Sequence, residues 1–203
     1  MKNIRFCGQY PYTTSQSEYH RVANDKAEID AIFSAMMVES VGRWVRIAEE
    51  RLRGSKVKCY ISPGNDDRRD IDPVLSGSDV LINPEEKLVM IDDVHEMITL
   101  GYANVAPWNA PRDIDDVELG TKIEQLVFQA KDLRNCILNL HCPPYDSGLD
   151  TAPLLRSDLR PAVSAGTIVN VPVGSKTVRR VIETHQPLLG LHGHIHEAKG
   201  VSK

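Results

Sequence analysis

From about Ser17 to Arg53, apolar residues recur at the i, i+3, i+4 spacing of one helix face, through Val41, Trp44, Val45, Ala48 and Leu52. Gly54 is placed to end that helix. Residues 1–14 follow no period, and "GQYPYTT" is turn chemistry. The period then drops to two. "KVKCYIS" (56–62) alternates as a strand does and runs into the turn "PGNDD". "VLIN", "KLVMID" and "EMITLGYA" are three further strand-like runs, with "NPEE" as the turn between the first two. Helical spacing returns over 115–133 through Val117, Leu119, Ile123, Leu126, Val127 and Ala130. "CILNL" (136–140) is short and apolar enough for a buried strand, and "HCPPYDSGLD" follows as a loop. Ser175 can cap a helix through "KTVRRVIETHQ", and "PLLGL" reads as a last buried strand.

Strands and helices alternate along the chain, which predicts an α/β fold and, over residues 1–203, a single domain. Each polar cluster comes directly after a short apolar strand: "GNDD" after 56–62, "HCPP" after 136–140 and "GHIH" after 187–191. Open α/β sheets bind ligands outside the carboxyl ends of their strands. Three loops far apart in sequence are therefore expected to converge on one site.

Composition narrows the class. The 203 residues are 41% hydrophobic and 26% charged with a formal net charge of −4, an ordinary globular balance. A mildly acidic chain lacks the surplus of Lys and Arg that non-specific nucleic-acid binding needs, so nucleic acid enters only as a possible substrate. No apolar run approaches the roughly 20 residues that span a bilayer, and "MKNIRFCGQY" lacks the apolar core of a signal peptide. Cys7, Cys59, Cys136 and Cys142 form no CxxC pair and are expected as reduced thiols in a cytoplasmic protein.

The chemistry concentrates near the C-terminus, where "GLHGHIHEAKG" carries His192, His194 and His196. In an extended segment His194 and His196 point to one side, close enough to ligate one metal ion or two adjacent ones. Gly193 removes a side chain where the backbone is expected to pass near the ion. His141, at the end of a buried strand, offers a third imidazole, and Asn65 in "GNDD" a neutral oxygen. His192 would point away from the ligand pair. His20 and His185 fall on helices and read as solvated. Arg68 and Arg69 read as a surface pair, with contact to substrate phosphate as the alternative. The rigid proline loop after Cys142 favours a structural role for that thiol over ligation.

"PGNDD", "LHCPPYDSGLD" and "PLLGLHGHIHE", in this order, resemble the later motifs of the calcineurin-like metallophosphoesterases, and "MIDDVHEMITLGYANVAPWNAPRD" resembles the segment between them in a bacterial and archaeal branch. The resemblance runs from about residue 40 onward. It implies a four-layer αββα sandwich and a dinuclear centre of two divalent ions, Mn, Zn or Fe, in a phosphatase or phosphodiesterase that uses metal-activated hydroxide. Asn65, His141 and His194 match ligands of one ion and His196 a ligand of the other. Asp66 stands where many members have a histidine assigned to the leaving group, which makes it the candidate catalytic residue. Asp67 matches the residue that orients that histidine.

Beside Asp66, a second and larger departure qualifies the resemblance. The family opens with a DxH and a GD motif, and residues 1–62 contain neither. Asp93-Val94-His95 is a DxH in the wrong place, after GNDD, and reads as a decoy. The chain is thus expected to be a fragment, incomplete at the N-terminus and also at the C-terminus. By itself it is expected to hold one metal or none, weakly, with little dinuclear catalysis. The alternative function is a truncated, non-catalytic member that binds a partner or a single ion. A mononuclear zinc site of His141, His194 and His196 ranks third because it leaves Asn65 unexplained.

Overall fold

The computed structural model describes residues 10–203. Their backbone divides into two compact units, one formed by the chain up to Ile61 together with Arg68–Asn83, the other by Ser62–Asp67 together with Pro84–Lys203.

The first unit is built on one long helix. A short helix, α1 (Gln16–Val22), is followed by α2 (Lys26–Leu52), so the predicted single helix is broken in two. The break has a local cause: the Asp25 carboxylate accepts hydrogen bonds from the amides of Ala27 and Glu28, which starts a new helix there. Strand β1 (Cys59–Tyr60), helix α3 (Asp72–Ser76) and strand β2 (Leu81–Ile82) complete the unit, with β1 and β2 parallel. Met37, Val41 and Val45 of α2 pack with Ile71, Leu75 and Leu81. Trp44, expected on that face, is 54% exposed, because the buried stripe follows an i, i+4 row that passes beside it.

The second unit is an α/β arrangement around a four-stranded sheet. Strands β3 (Lys87–Met90) and β4 (Glu96–Leu100) form a hairpin, followed by the short strands β5 (Ala103–Asn104) and β6 (Asp113–Ile114), paired in parallel. Helix α4 (Asp116–Val127) leads to β7 (Cys136–Leu140). The antiparallel pieces β8 (Thr151–Pro153), β9 (Val163–Ser164), β10 (Thr167–Ile168) and β11 (Asn170–Pro172) come next. Helix α5 (Lys176–His185), capped by the Ser175 hydroxyl as expected, returns the chain to β12 (Leu189–Leu191). The sheet order is β12-β7-β4-β3, with β4, β7 and β12 mutually parallel.

In-register pairing places Ile98, Leu100, Leu138 and Leu140 on one face of this sheet, where they pack on Leu119 and Ile123 of α4 and Val178 and Val181 of α5. Val117, expected in the helical stripe, is 74% exposed in the first turn of α4. The register also aligns the carboxyl ends of β4, β7 and β12, and His141 follows β7 directly. Among the described residues, no helix is long and apolar enough to cross a membrane.

A candidate metal-binding cavity at the carboxyl ends of the parallel strands

The Asn65 side-chain oxygen lies 3.0 Å from His141 Nε2 and 3.1 Å from His194 Nδ1. Three donors from three segments thus meet at the carboxyl edge of the sheet. Backbone bonds lock the segments together past the strand ends: His141 N–H donates to the Leu100 carbonyl (2.9 Å) and Gly193 N–H to the His141 carbonyl (3.0 Å). The two imidazoles meet edge to face, with centroids 5.4 Å apart.

The orientation of Asn65 is enforced by a residue that the sequence did not single out. Its amide nitrogen donates to Asp113 Oδ1 (2.9 Å), which turns the oxygen toward the histidines. Asp113 is itself held, its other oxygen accepting from the amides of Ala106 (2.9 Å) and Ala110 (2.8 Å). Arg112, 1% exposed, anchors the same loop: its amide donates to the Asn65 carbonyl and its Nε to the Asp67 carbonyl, both at 2.9 Å. Asp113 lies 48 positions from Asn65 and merges in the sequence with the acidic start of α4, so no local signal marks it.

The glycines have a sharper role than leaving room for an ion. A Cβ on Gly64 would stand 2.9 Å from His141 Cε1, and one on Gly193 would stand 3.2 Å from His141 Nδ1. Both glycines clasp the His141 ring. The expected extended geometry of "GHIH" is not observed, since His194 has φ 67 and the backbone bends there. His194 accordingly turns inward to Asn65, while His196 is exposed on the same cavity.

Asp67, rather than Asp66, closes the "GNDD" turn, accepting from the Gly64 amide at 2.8 Å. Asp66 is exposed and lines the cavity. His192 points away from the cluster, its Nδ1–H donating to the carbonyls of Leu140 (2.9 Å) and Cys142 (3.1 Å). The Cys142 thiol donates to Asn104 Oδ1 (2.7 Å), and burial pushes its pKa up to about 12, which opposes a thiolate ligand. His185 pairs with Glu124 (3.0 Å), and His20 is exposed on α1. Arg68 is held by Asp30 (2.9 Å) in the first unit. Asp93 and His95 precede β4, at the opposite edge of the sheet from the cluster.

Burial, followed by the neighbouring His194, pushes the His141 pKa down to about 4, and burial lowers that of His194. Both imidazoles are therefore neutral near pH 7, the form that carries a lone pair for a metal. Among the described residues, no group of three or more His, Cys, Asp and Glu side chains is placed to hold a metal ion. The third donor here is an amide oxygen. Two neutral imidazoles and that oxygen, already aimed at one another by Asp113 and the two glycines, fit a divalent cation by their chemistry.

Solved structures resemble the chain in fold. A solved crystal structure aligns with 98% of this chain and 67% of its own length at 16% identity, with a TM-score of 0.57. The crystal structure of TT1561 from Thermus thermophilus aligns with 76% of this chain and 61% of its own length at 17% identity, with a TM-score of 0.50. An uncharacterised protein of Methanocaldococcus jannaschii, MJ1162, is 27% identical over 143 residues, or 70% of this chain. The match spans 57% of the length of that relative. No family model matches the chain.

Proposed function

We propose that the chain is part of a metal-dependent phosphoric-ester hydrolase of the calcineurin-like metallophosphoesterase type, with its sheet belonging to a four-layer αββα sandwich. The observation that carries this reading is the meeting of Asn65 Oδ1, His141 Nε2 and His194 Nδ1 within about 3 Å at the carboxyl ends of parallel strands. Asn65, His141 and His194 would hold one ion, and His196 on the cavity side would contribute to a second in the intact protein. A divalent cation there supplies Lewis-acid polarisation of a phosphoryl oxygen and lowers the pKa of water.

The chain's own residues supply the rest. Asp113 fixes the Asn65 amide, the two glycines fix His141, and burial keeps both imidazoles neutral. Asp66, an exposed carboxylate on the cavity, is the residue we assign to proton transfer toward the leaving group.

The presence of a single three-donor cluster among the described residues favours a second reading, in which this polypeptide binds one ion without turnover. Elemental analysis after incubation with manganese or zinc, with hydrolysis of bis-p-nitrophenyl phosphate, separates the two. One ion per chain, absent in His194→Ala, with metal-dependent turnover supports the hydrolase. One ion without turnover supports the second reading. No ion, or an ion retained in His194→Ala, sinks both.

A further inference from the structure

The cavity at the donor cluster is much larger than a metal site requires. It encloses about 680 Å³, and most of the surface beyond the cluster is apolar. One wall is the segment after β5 that ends in Trp108; another comes from the β8–β11 arm, through Leu154, Leu159 and Val171. The polar end adds the carboxylates of Asp66, Asp67 and Glu197, and among the described residues no lysine or arginine lines the cavity. The two arginines of the arm nearest it, Arg156 and Arg160, both reach Asp158 instead, at 3.3 and 4.0 Å.

Leu159 is out of place by ordinary backbone chemistry. Its φ is 61, in the left-handed region that branched, bulky residues avoid. A tight turn imposes it, with the Arg156 amide bonded to the Arg160 carbonyl and the Leu159 amide to the Arg156 carbonyl, both at 2.9 Å. Glycine or asparagine would serve that turn better. A leucine there, 52% exposed, presents an apolar side chain to the same cavity that Trp108, 55% exposed, borders. Single exposed apolar residues mean little, but these two bound one concave space that ends at the donor cluster.

We propose that this apolar part is a subsite for the organic portion of the ester, and that it takes a flat, uncharged, apolar ring laid against Trp108 and covered by Leu154 and Leu159. The favoured substrates are phosphate esters of an aryl or nucleobase-like ring carrying little further charge. Polyphosphates and acidic phosphopeptides are selected against, because the lining sets carboxylates and no side-chain cation against them. The phosphate half of the proposal rests on the hydrolase reading; the ring-binding half stands on the cavity alone.

Trp44 and Trp108 are the two tryptophans of the chain, so Trp44→Phe leaves Trp108 as the reporter. That protein, loaded with manganese, is titrated with phenylphosphonate, methylphosphonate and uncharged benzyl alcohol. Phenylphosphonate and benzyl alcohol are expected to change Trp108 emission, with phenylphosphonate binding about tenfold tighter than methylphosphonate. Leu159→Gly in the same background removes the apolar cover while suiting the backbone. It is expected to lower phenylphosphonate and benzyl alcohol affinity several-fold, leave methylphosphonate unchanged and not lower the melting temperature. A role in folding alone would move the melting temperature instead. Equal affinity for the two phosphonates, or a benzyl alcohol response unaltered by Leu159→Gly, overturns the subsite. Benzyl alcohol binding without phosphonate binding keeps the subsite and sinks the ester reading. Methylphosphonate binding with no preference for a ring does the reverse.

Discussion

Two clusters of imidazole and polar oxygen lie at opposite edges of the same sheet. Asp92 and His95 meet just before β4, next to Asp93 in the chain, and Asn65, His141 and His194 gather after the carboxyl ends of β4 and β7 and beyond β12. The first cluster is entirely local. His95 Nδ1 and the Asp92 carboxylate lie 2.8 Å apart, and the same carboxylate accepts the amides of Val94 and His95. Its side chains are 39% and 54% exposed, so the arrangement is a solvated turn that satisfies itself. The second cluster joins residues 76 and 129 positions apart, and each member is aimed by something else: Asn65 by Asp113, His141 by Gly64 and Gly193, and the Asn65 loop by Arg112. A metal-like residue set becomes a candidate site when its donors cannot rotate away, because the energy of holding them is supplied by the packed fold around them.

The sharpest contrast is in metal affinity. His194→Ala is expected to abolish measurable manganese or zinc binding by calorimetry, whereas His95→Ala leaves it unchanged. Loss of affinity in His95→Ala would move the site to the other edge. Asp113→Ala comes next. It frees the Asn65 amide to flip and leaves two backbone amides without their acceptor, and losing such an aiming partner costs about 10–100-fold in metal affinity. The same change lowers stability by roughly 2–3 kcal/mol in urea unfolding, whereas Asp93→Ala changes neither quantity.

Gly64→Ala tests the aim of His141 itself. A methyl group 2.9 Å from the ring must displace it, so metal affinity falls about tenfold or more. Wild-type affinity in this variant would show that the ring tolerates rotation.

The pH dependence is a smaller effect of the same kind. An unfolded imidazole titrates near 6.5, while His141 in the fold takes a proton only near pH 4. Between those values the unfolded chain binds more protons, so the stability held in full above pH 6.5 is lost as pH falls toward 4. His141→Asn is expected to flatten that slope in urea midpoints measured over this range. An unchanged slope would mean that another group carries it.

The smallest effect concerns the thiols of the core behind the site. Burial raises Cys136 to about 11 and Cys142 to about 12, so both stay protonated and unreactive at pH 8. Peptide mapping after iodoacetamide treatment of the folded protein is expected to find both unmodified, and rapid alkylation of Cys142 would reopen its reading as a ligand.

Much of this organisation was legible along the chain. Strand β7 and helix α5 with its Ser175 cap stand where periodicity and capping chemistry place them, because local preference and tertiary packing agree there. "PLLGL" does form β12, but the strand expected to be buried lies at the sheet edge with Leu189 and Leu191 47% and 42% exposed, since an apolar run does not say whether its strand is central or at an edge. The antiparallel arm β8–β11 is not legible in the sequence: its strands are two or three residues long and leave no countable alternation. Trp44 of α2 sits at the spacing of the apolar face yet is exposed, since helical spacing alone does not say how broad a stripe the partner covers.

Local pattern was enough to give the donor types, their positions after strand ends and the α/β alternation, all of which are encoded within a few residues of each other. Which donors meet was settled by the folded chain. It brought His194 rather than His196 to Asn65 through a left-handed turn, recruited Asp113 as the aiming carboxylate, and set the glycines against an imidazole. Those outcomes depend on backbone hydrogen bonds and sheet register between segments dozens of residues apart, and no local pattern carries that information.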